Sequence, residues 1–278
     1  MIEQPCQDVL NKLIKLDYDY VVDKITSFIR GCVEESRAAG AVIGLSGGID
    51  SSVTAFLTVK ALGPSRVLGL IMPYATTPRE DVEDALEVAR TLGISYRIID
   101  ISEIRNSFAK TIPDFDESNR VACGNLLPRI RMTILYYYAN KNNLLVVGTG
   151  DKSELLIGYF TKYGDGGVDI LPIGCLYKTQ VRALGKHLGV PDRVVRKPSS
   201  PRLWPGHLAE EELQLKYDLI DCVLYCLFDL RLNIDETVRM LGVSREVVCR
   251  VLELHERSRH KRSLPPVPCL DPDKMYKS

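Results

Sequence analysis

Short apolar runs alternate with stretches of helical period through the first two-thirds of the chain. The apolar runs lie at residues 41–45, 67–72, 96–101 and 144–148, and the helical patterns at 51–62, 79–92 and 126–140. Strands without a polar face are typical of parallel sheets that helices cover on both sides. The alternation therefore predicts an α/β fold with a doubly wound, mostly parallel sheet. Pro128 falls in the last of these helices, and we place it in the first turn, where proline is tolerated.

The pattern becomes wholly helical after residue 178. We predict helices at 179–188, 210–230, 235–241 and 245–257, a proline-rich connection at 191–205 and an irregular tail at 264–268. The simplest organisation has an N-terminal helical segment (1–40) and an α/β core (41–200). A helical C-terminal appendage (201–278) then completes the same domain.

Charge and cysteine usage exclude several classes of protein. Thirty-six Lys and Arg residues balance thirty-six Asp and Glu residues, so no long-range field draws the chain to nucleic acid or membranes. A secretory signal and membrane-length apolar segments are lacking, and we expect a cytoplasmic protein whose eight scattered cysteines stay reduced. Cys222 and Cys226 have a metal-like spacing, but nothing nearby completes a site, and packed thiols are the ordinary interpretation.

A glycine- and serine-rich segment joins the first strand to the helix that follows it. The segment reads Gly44-Leu45-Ser46-Gly47-Gly48-Ile49-Asp50-Ser51-Ser52. Parallel sheets bind ligands at this edge, and glycines, hydroxyls and a helix N-terminus together bind phosphates. Asp50 would repel a bare phosphate, which indicates a Mg²⁺ ion between them. The segment is neither a Walker A loop nor G-x-G-x-x-G, and the alternative is a capped turn without a ligand.

This loop resembles the Ser-Gly-Gly-x-Asp-Ser signature of the ATP-pyrophosphatase superfamily. The resemblance implies that ATP is cleaved between its α and β phosphates, which adenylates a substrate and releases pyrophosphate. Within the superfamily the chain is similar to the NAD synthetases in segments that follow one another from about residue 41 to 262. These are Gly124-Asn125, Arg129-Ile130-Arg131-Met132, Gly148-Thr149-Gly150-Asp151-Lys152-Ser153-Glu154, the run from Gly158 to Asp169, the run from Leu176 to Arg182, and His260-Lys261-Arg262.

The resemblance also implies the roles of individual residues. Asp50 and Glu154 would hold magnesium, and with Lys178, which would neutralise phosphate charge, they would form the catalytic set. Residues 44–51 would bind ATP with Thr149, Lys178 and Ser200. The second substrate, deamido-NAD (nicotinic acid adenine dinucleotide), would contact Arg129, Lys162, Asp169, His260 and Lys261. Residue types agree with this assignment, because Arg and Lys suit a pyrophosphate or a carboxylate.

In the implied reaction the nicotinate carboxylate attacks the α-phosphorus of ATP, and ammonia then converts the acyl-adenylate into the amide of NAD. Only 45 residues precede Ser46, too few for a glutaminase domain, so we expect free ammonia as the donor; a separate glutaminase subunit stays open. The glycines between Tyr163 and Gly167 predict a loop that closes over the reaction. Tyr136-Tyr137-Tyr138, in an apolar helix, belong either to the core or to a subunit interface; the resemblance implies a homodimer with this helix near the two-fold contact, which favours the interface.

Two alternatives belong to other classes. Residues 235–255 have helix–turn–helix-like spacing, and residues 239–262 carry seven Arg and Lys against three Glu, which suggests nucleic-acid binding. A tRNA-modifying ATP-pyrophosphatase is the second, although a net charge of zero disfavours it. The chain also departs from the family at Leu126-Leu127-Pro128, and at His207, where relatives usually have Gln. A histidine in such a loop is most often solvated.

Overall fold

The computed structural model describes residues 4–271 and Met275. The strands are β1 (Gly40–Gly44), β2 (Val67–Ile71), β3 (Ser95–Ile98) and β4 (Leu144–Val147). The helices up to β4 are α1 (Gln4–Ile14), α2 (Tyr18–Glu35), α3 (Ile49–Leu62), α4 (Arg79–Thr91), α5 (Ser102–Thr111) and α6 (Arg120–Asn142). Those after it are α7 (Lys152–Ile157), α8 (Lys178–Leu188), α9 (Asp192–Arg196), α10 (Ala209–Leu213), α11 (Tyr217–Leu224), α12 (Ile234–Leu241) and α13 (Arg245–Arg257).

The four strands form one parallel sheet in the order β3-β2-β1-β4. The chain winds outward from β1 through β2 to β3, then returns to place β4 on the other side of β1. Strand order therefore reverses between β1 and β4, and the crevice at such a reversal is where open α/β sheets bind ligands. The predicted phosphate loop follows β1 directly.

Helices cover both faces of the sheet. In β1 the fully buried side chains alternate: Ala41 and Ile43 pack with α3 and α4, whereas Val42 packs with α6. The side of α3 that faces away from the sheet packs against α2, α8 and α9 in a further core. The predicted class, a doubly wound parallel α/β fold, is confirmed.

The C-terminal helices share a core with the first helix of the chain. Side chains of α1, α10, α11, α12 and α13 form one buried cluster, which also contains Ile157 of α7 and Tyr177 at the start of α8. The helical C-terminal region therefore packs directly beneath the segments that follow β4. The division of the chain at residues 40 and 200 stays a prediction.

Three sequence-based predictions about helices are wrong. The long helix at 210–230 is two helices, because Gln214 takes a left-handed conformation (φ +57°) after α10, and α11 ends in a π turn at Tyr225–Asp229. Pro128 is the ninth residue of α6 rather than part of its first turn, since the helix begins at Arg120. The connection at 191–205 contains α9. The helical period also failed to predict α5 and α7, which are short.

The tail is irregular, as expected. Residues 264–271 form neither helix nor strand. None of the helices in residues 4–271 has the length and apolarity that a membrane span requires.

Two glycines that end helices allow a matched test of the contact between α7 and the C-terminal region. Gly158 ends α7 with φ +70°, and a Cβ there would lie 2.0 Å from the Cβ of Ser258. Gly189 ends α8 with φ +78°, and a Cβ there would have nothing within 4 Å. We expect Gly189→Ala to lower the free energy of unfolding by about 1 kcal/mol through backbone strain alone. Gly158→Ala should lower it by about 3 kcal/mol, because the clash adds to the strain. Denaturant unfolding measures both, and equal losses would contradict the packing described.

Candidate active site

A cavity of about 440 Å³ lies at the carboxyl ends of β1, β2 and β4. That volume is within the range of small-molecule sites. The loop after β1 forms one wall, and the segment after β4 forms the wall beside it. Residues 197–204 and part of the region after α7 complete the enclosure. The cavity therefore occupies the crevice that the strand order predicts.

The loop after β1 has the geometry of a phosphate-binding turn. Gly47 has φ +74°, and a Cβ there would lie 2.1 Å from the carbonyl oxygen of Asp81, so no other residue fits. The Gly48 N–H donates to Ser46 Oγ at 3.2 Å, and the Ser46 and Ser51 hydroxyls lie 3.0 Å apart. The positive end of α3 begins at this turn, which favours an anion in the cavity.

Lys178 carries a fully buried ammonium that three carboxylates surround. Its Nζ lies 2.7 Å from Asp50 Oδ2, 2.8 Å from Glu154 Oε1 and 2.9 Å from Asp151 Oδ2. Lys178 and Asp151 have no exposed side-chain surface, whereas 22% of Asp50 and 20% of Glu154 remain exposed. A buried ammonium is tolerated only when it is paired. Lys178 thus fixes two carboxylates, Asp50 and Glu154, that open onto the cavity.

The charges of this cluster do not balance, since three carboxylates face one ammonium. Burial raises the pKa of Glu154 well above its ordinary range, and the pKa of Asp151 rises for the same reason. Burial alone would lower the pKa of Lys178, but the surrounding carboxylates hold it well above its usual value. Lys178 therefore stays charged, and the carboxylates favour a further positive charge beside them.

Asp50 Oδ1 is buried and has no hydrogen-bond partner among the residues that the structure describes. A buried carboxyl oxygen without a partner is costly unless a ligand uses it. Together with Glu154 it offers hard oxygen donors at the cavity, which suit a divalent cation such as Mg²⁺. Within residues 4–271, no group of three or more His, Cys, Asp and Glu residues is arranged to hold a metal ion by itself. A cation here would need oxygens from a ligand or water.

Asp151 is the member of the cluster that sequence reasoning missed. It caps α7: its Oδ1 accepts from the Glu154 N–H at 2.8 Å, and Glu154 Oε2 accepts from the Asp151 N–H at 3.4 Å. The Asp-x-x-Glu spacing after β4 is the signal that could have revealed this cap. Glu154 is the third residue of α7.

The structure brings most of the predicted ATP-binding residues to the cavity, whereas the predicted deamido-NAD contacts are mostly outside it. The predicted residues that line the cavity are Gly44, Leu45, Ser46, Gly48, Ile49, Asp50, Ser51, Thr149, Glu154, Ser200 and Lys261. Gly47 and Lys178 do not line the cavity. They lie behind its wall, Gly47 against Asp81 and Lys178 against Asp50 and Glu154. Arg129, Lys162, Asp169 and His260 are not part of the wall. The roles assigned to all these residues stay predictions.

The two arginines of the Arg-Ile-Arg motif differ in place. Arg129 is exposed, and its guanidinium donates to the carbonyl of Lys162 at 3.4 Å. Arg131 lines the cavity, donates from Nε to the carbonyl of Met72 at 3.1 Å, and burial lowers its pKa to about 10. An arginine remains charged at that pKa, so the second arginine presents a cation to the cavity.

The remaining predicted substrate contacts bond to the protein itself. Lys162 Nζ donates to the His260 carbonyl at 2.6 Å. Asp169 accepts from the Tyr136 hydroxyl at 2.9 Å and from the Val146 N–H at 2.7 Å. Lys261 Nζ donates to two backbone carbonyls just after α7. These bonds tie the segment that follows α7 to β4, α6 and the C-terminal region.

His207 is buried rather than solvated, which corrects the sequence-based expectation. Only 3% of the residue is exposed, and its ring stacks on Trp204 with centroids 3.5 Å apart. Its Nε2 lies 2.7 Å from Glu212 Oε2, which also accepts from the Tyr159 hydroxyl at 2.6 Å. All four side chains belong to residues of the cavity wall. The departure from Gln at position 207 was the one hint of this group in the sequence.

An ion-pair group holds residues 197–202 over the phosphate loop. Lys197 Nζ donates to the Gly47 carbonyl at 3.1 Å and to Asp81 Oδ1 at 2.9 Å, and it also pairs with Asp84. Arg202 Nε donates to Asp81 Oδ2 at 2.8 Å. The acidic first turns of α4 thus fix one wall of the cavity from behind.

A phosphate-binding turn after β1 and a carboxylate pair at the reversal of strand order define a nucleotide-binding α/β enzyme. The family model described as NAD synthase matches residues 21–265, and the chain belongs to that family.

Individual relatives agree with this assignment. The curated NH(3)-dependent NAD(+) synthetase of Hyperthermus butylicus is 58% identical over 260 residues, covering 93% of this chain and 94% of the relative. The solved NMN synthetase from Francisella tularensis is 36% identical with a TM-score of 0.82, covering 92% of this chain and 100% of its own. The NH3-dependent NAD synthetase from Campylobacter jejuni is 32% identical with a TM-score of 0.76, covering 91% and 100%.

The alternatives from other classes gain no support from these relatives. The helix–turn–helix spacing is present as α12 and α13, joined at Gly242. However, Val248 and Val251 of α13 are buried in the C-terminal core, and His255 Nδ1 lies 2.8 Å from the Leu156 carbonyl. The second helix of the pair therefore supports α7.

Replacing Lys178 tests whether it holds the carboxylates. Lys178→Met leaves Asp50, Asp151 and Glu154 without a cation, and we expect the free energy of unfolding at pH 8 to fall by about 3–5 kcal/mol. The loss should shrink at pH 5, because carboxyls with raised pKa values are then protonated and carry no charge. Lys152→Met is the control: Lys152 pairs with Asp229 at 2.5 Å but is partly exposed, so about 1 kcal/mol or less is expected. Equal, pH-independent losses would show that the cluster is not held by Lys178.

Proposed function

We propose that this chain is an ammonia-dependent NAD synthetase. It adenylates the nicotinate carboxylate of deamido-NAD with ATP and then replaces AMP by ammonia, which yields NAD, AMP and pyrophosphate. The observation that carries the proposal is the pair Asp50 and Glu154, held by Lys178 beside a phosphate-binding turn. The names of the relatives, which match this chain over nearly its full length, support the same substrate and donor.

The first step is an in-line displacement at phosphorus. A carboxylate oxygen of the nicotinate forms a bond to the α-phosphorus, and the bond from this phosphorus to the α–β bridging oxygen breaks. Pyrophosphate leaves toward the turn, where the Ser46 and Ser51 hydroxyls and the N-terminus of α3 receive its charge. Arg131 adds a fixed cation in the same cavity. The chain acts here by positioning and charge neutralisation, and a side-chain nucleophile is not needed.

Magnesium fits this site through Asp50 and Glu154, since both open onto the cavity and Asp50 Oδ1 is otherwise unpartnered among the described residues. When bound, Mg²⁺ would neutralise the triphosphate and polarise its oxygens. Lys178 keeps the two carboxylates in place from the buried side. Asp151 fixes Glu154 at the start of α7.

In the second step ammonia attacks the carbonyl carbon of the acyl-adenylate. A C–N bond forms, the bond to the AMP oxygen breaks, and the nitrogen loses a proton. Water would hydrolyse the same intermediate, so an enclosed wall favours the amide. Trp204, stacked on His207, together with Phe160 and Val168, supplies apolar surface on that wall. These side chains would limit the access of water to the intermediate.

A second candidate substrate follows from one solved structure. The protein from Francisella tularensis is called an NMN synthetase, and NMN is the amide of a mononucleotide. Adenylation and amidation would be the same chemistry on nicotinic acid mononucleotide, without the adenylyl half of deamido-NAD. The 58% identity to an NAD(+) synthetase, against 36% to the NMN synthetase, favours the dinucleotide.

A product assay with both substrates tests the proposal. With ATP, magnesium and ammonium, we expect deamido-NAD to give NAD with equimolar AMP and pyrophosphate. The kcat/KM for deamido-NAD should exceed that for nicotinic acid mononucleotide by about tenfold or more. A preference for the mononucleotide would transfer the assignment to NMN synthesis. ADP and phosphate as products, or no amide from either substrate, would contradict the adenylation chemistry.

The proposal includes a cytoplasmic homodimer. Cytosolic thiols stay reduced, and the cysteines are free in the part of the chain that the structure describes. On α6, Tyr137 is 60% exposed and lies between the partly buried Tyr136 and Tyr138. We take this aromatic segment, where the resemblance implies the dimer contact, as the surface for a second copy.

Light scattering tests the dimer. One chain has a mass of 31.2 kDa, and at micromolar concentration we expect twice that mass. We expect Tyr137→Glu to give the mass of a single chain, because it places a charge in an apolar contact. Lys186→Glu, a change of charge on the exposed surface of α8 on the other side of the sheet from α6, should leave the dimer intact. A monomeric wild-type protein would remove this part of the proposal.

A further inference from the structure

Asp221 is a carboxylate that the proposed mechanism does not use, although it lies directly behind the active site. It belongs to α11 and has no exposed surface. Its Oδ1 accepts from the Ser153 hydroxyl at 2.5 Å, and its Oδ2 accepts from the Thr179 N–H at 2.8 Å. The same Ser153 Oγ accepts from the Lys178 N–H at 2.9 Å. One side chain from the C-terminal region therefore links two segments of the α/β core.

These bonds satisfy the beginning of a helix from outside. The first N–H groups of a helix have no partner within it and need a cap. In α8 the residue before the helix, Tyr177, provides no side-chain cap bond. Ser153 Oγ and Asp221 Oδ2 instead take the N–H groups of Lys178 and Thr179, the first two residues of α8. Because the acceptor is a carboxylate at the positive end of a helix, the bond is charge-assisted.

The two residues that Asp221 contacts each lie next to a member of the Lys178 cluster. Ser153 is in the first turn of α7, one residue before Glu154, and Thr179 is one residue after Lys178. A shift of either helix start would move Glu154 Oε1 relative to Lys178 Nζ, a contact of 2.8 Å.

We infer that Asp221 is a positioning residue of the active site: through Ser153 and Thr179 it holds the starts of α7 and α8 in register, so that Lys178 presents Glu154 and Asp50 to the cavity. The inference rests on the proposed function for its catalytic consequence.

Charge distinguishes this role from that of an ordinary structural bond. Burial raises the pKa of Asp221 to about 7, Asp151 also raises it, and the bonds from Ser153 and Thr179 lower it. The pKa of an Asp in the unfolded chain is about 4. Because the pKa of Asp221 is higher than this in the folded chain, the group lowers the free energy of unfolding as the pH rises from about 4 to 7. A neutral amide at this position avoids that loss. Asp221→Asn should therefore preserve or raise the stability of the protein at pH 8 while it disturbs the site.

The experiment compares Asp221→Asn with a matched control, Asp229→Asn. Asp229 accepts from Lys152 Nζ at 2.5 Å and from the Tyr177 hydroxyl at 3.0 Å, so it joins the same two helices through the preceding residues. We expect Asp221→Asn to lower kcat about tenfold or more and to weaken the magnesium-dependent binding of ATP by a similar factor, with an unchanged or higher Tm at pH 8. Asp229→Asn should change both quantities by less than about twofold.

Ser153→Ala provides a second route, because it removes the link from the other end and should lower kcat and ATP binding in the same direction. An Asp221→Asn protein with wild-type kcat and ATP affinity would overturn the inference, as would equal effects of the Asp221 and Asp229 changes. If the wild-type protein forms no amide, the proposed function fails, and calorimetric ATP affinity in the presence of magnesium still decides the role of Asp221.

Discussion

The ammonium of Lys178 is the contact on which the arrangement of the site depends. It draws together Asp50, from the start of α3, and Asp151 and Glu154, from the start of α7. Without it, three carboxylates at one point would repel one another in a poorly solvated place. With it, two of them keep a free edge toward the cavity. The negative charge of the site therefore depends on the placement of the segments after β1 and β4 against the start of α8.

Because α7 is only six residues long, its position has to be fixed by other elements. Asp151 and Asp221, through Ser153, hold its beginning. At its other end, Arg262 donates to the carbonyls of Leu155 and Leu156. Short helices have little stability of their own. The C-terminal helices are consequently part of the structure that positions Glu154.

Local signals in the sequence predicted the sheet and the phosphate loop, since apolar runs and the glycine-rich turn depend on neighbouring residues. The break of the predicted helix at Gln214 was not visible, because glutamine is a good helix former and its left-handed conformation has no local signal in the sequence. Asp151, Arg131 and Asp221 were also missed. Their importance arises from partners far away in sequence, such as Asp221 with Ser153, which no local pattern encodes.

The resemblance to a family implied roles for residues that the structure places in different positions relative to the cavity. Most of the predicted ATP-binding residues share one cavity, whereas Arg129, Lys162, Asp169 and His260 lie outside its wall. The side chains of Arg129, Lys162 and Asp169 bond to the protein itself, as Lys162 does to the His260 carbonyl. The assignment of all four residues to deamido-NAD therefore stays a prediction.

Attack of the substrate carboxylate on the α-phosphorus, beside Asp50 and Glu154, is the step on which the proposed chemistry rests. Turnover of deamido-NAD labelled with ¹⁸O in its carboxylate measures this directly. Mass spectrometry of the products should find one labelled oxygen in AMP and none in pyrophosphate. Label in phosphate or pyrophosphate, or unlabelled AMP, would contradict attack at the α-phosphorus.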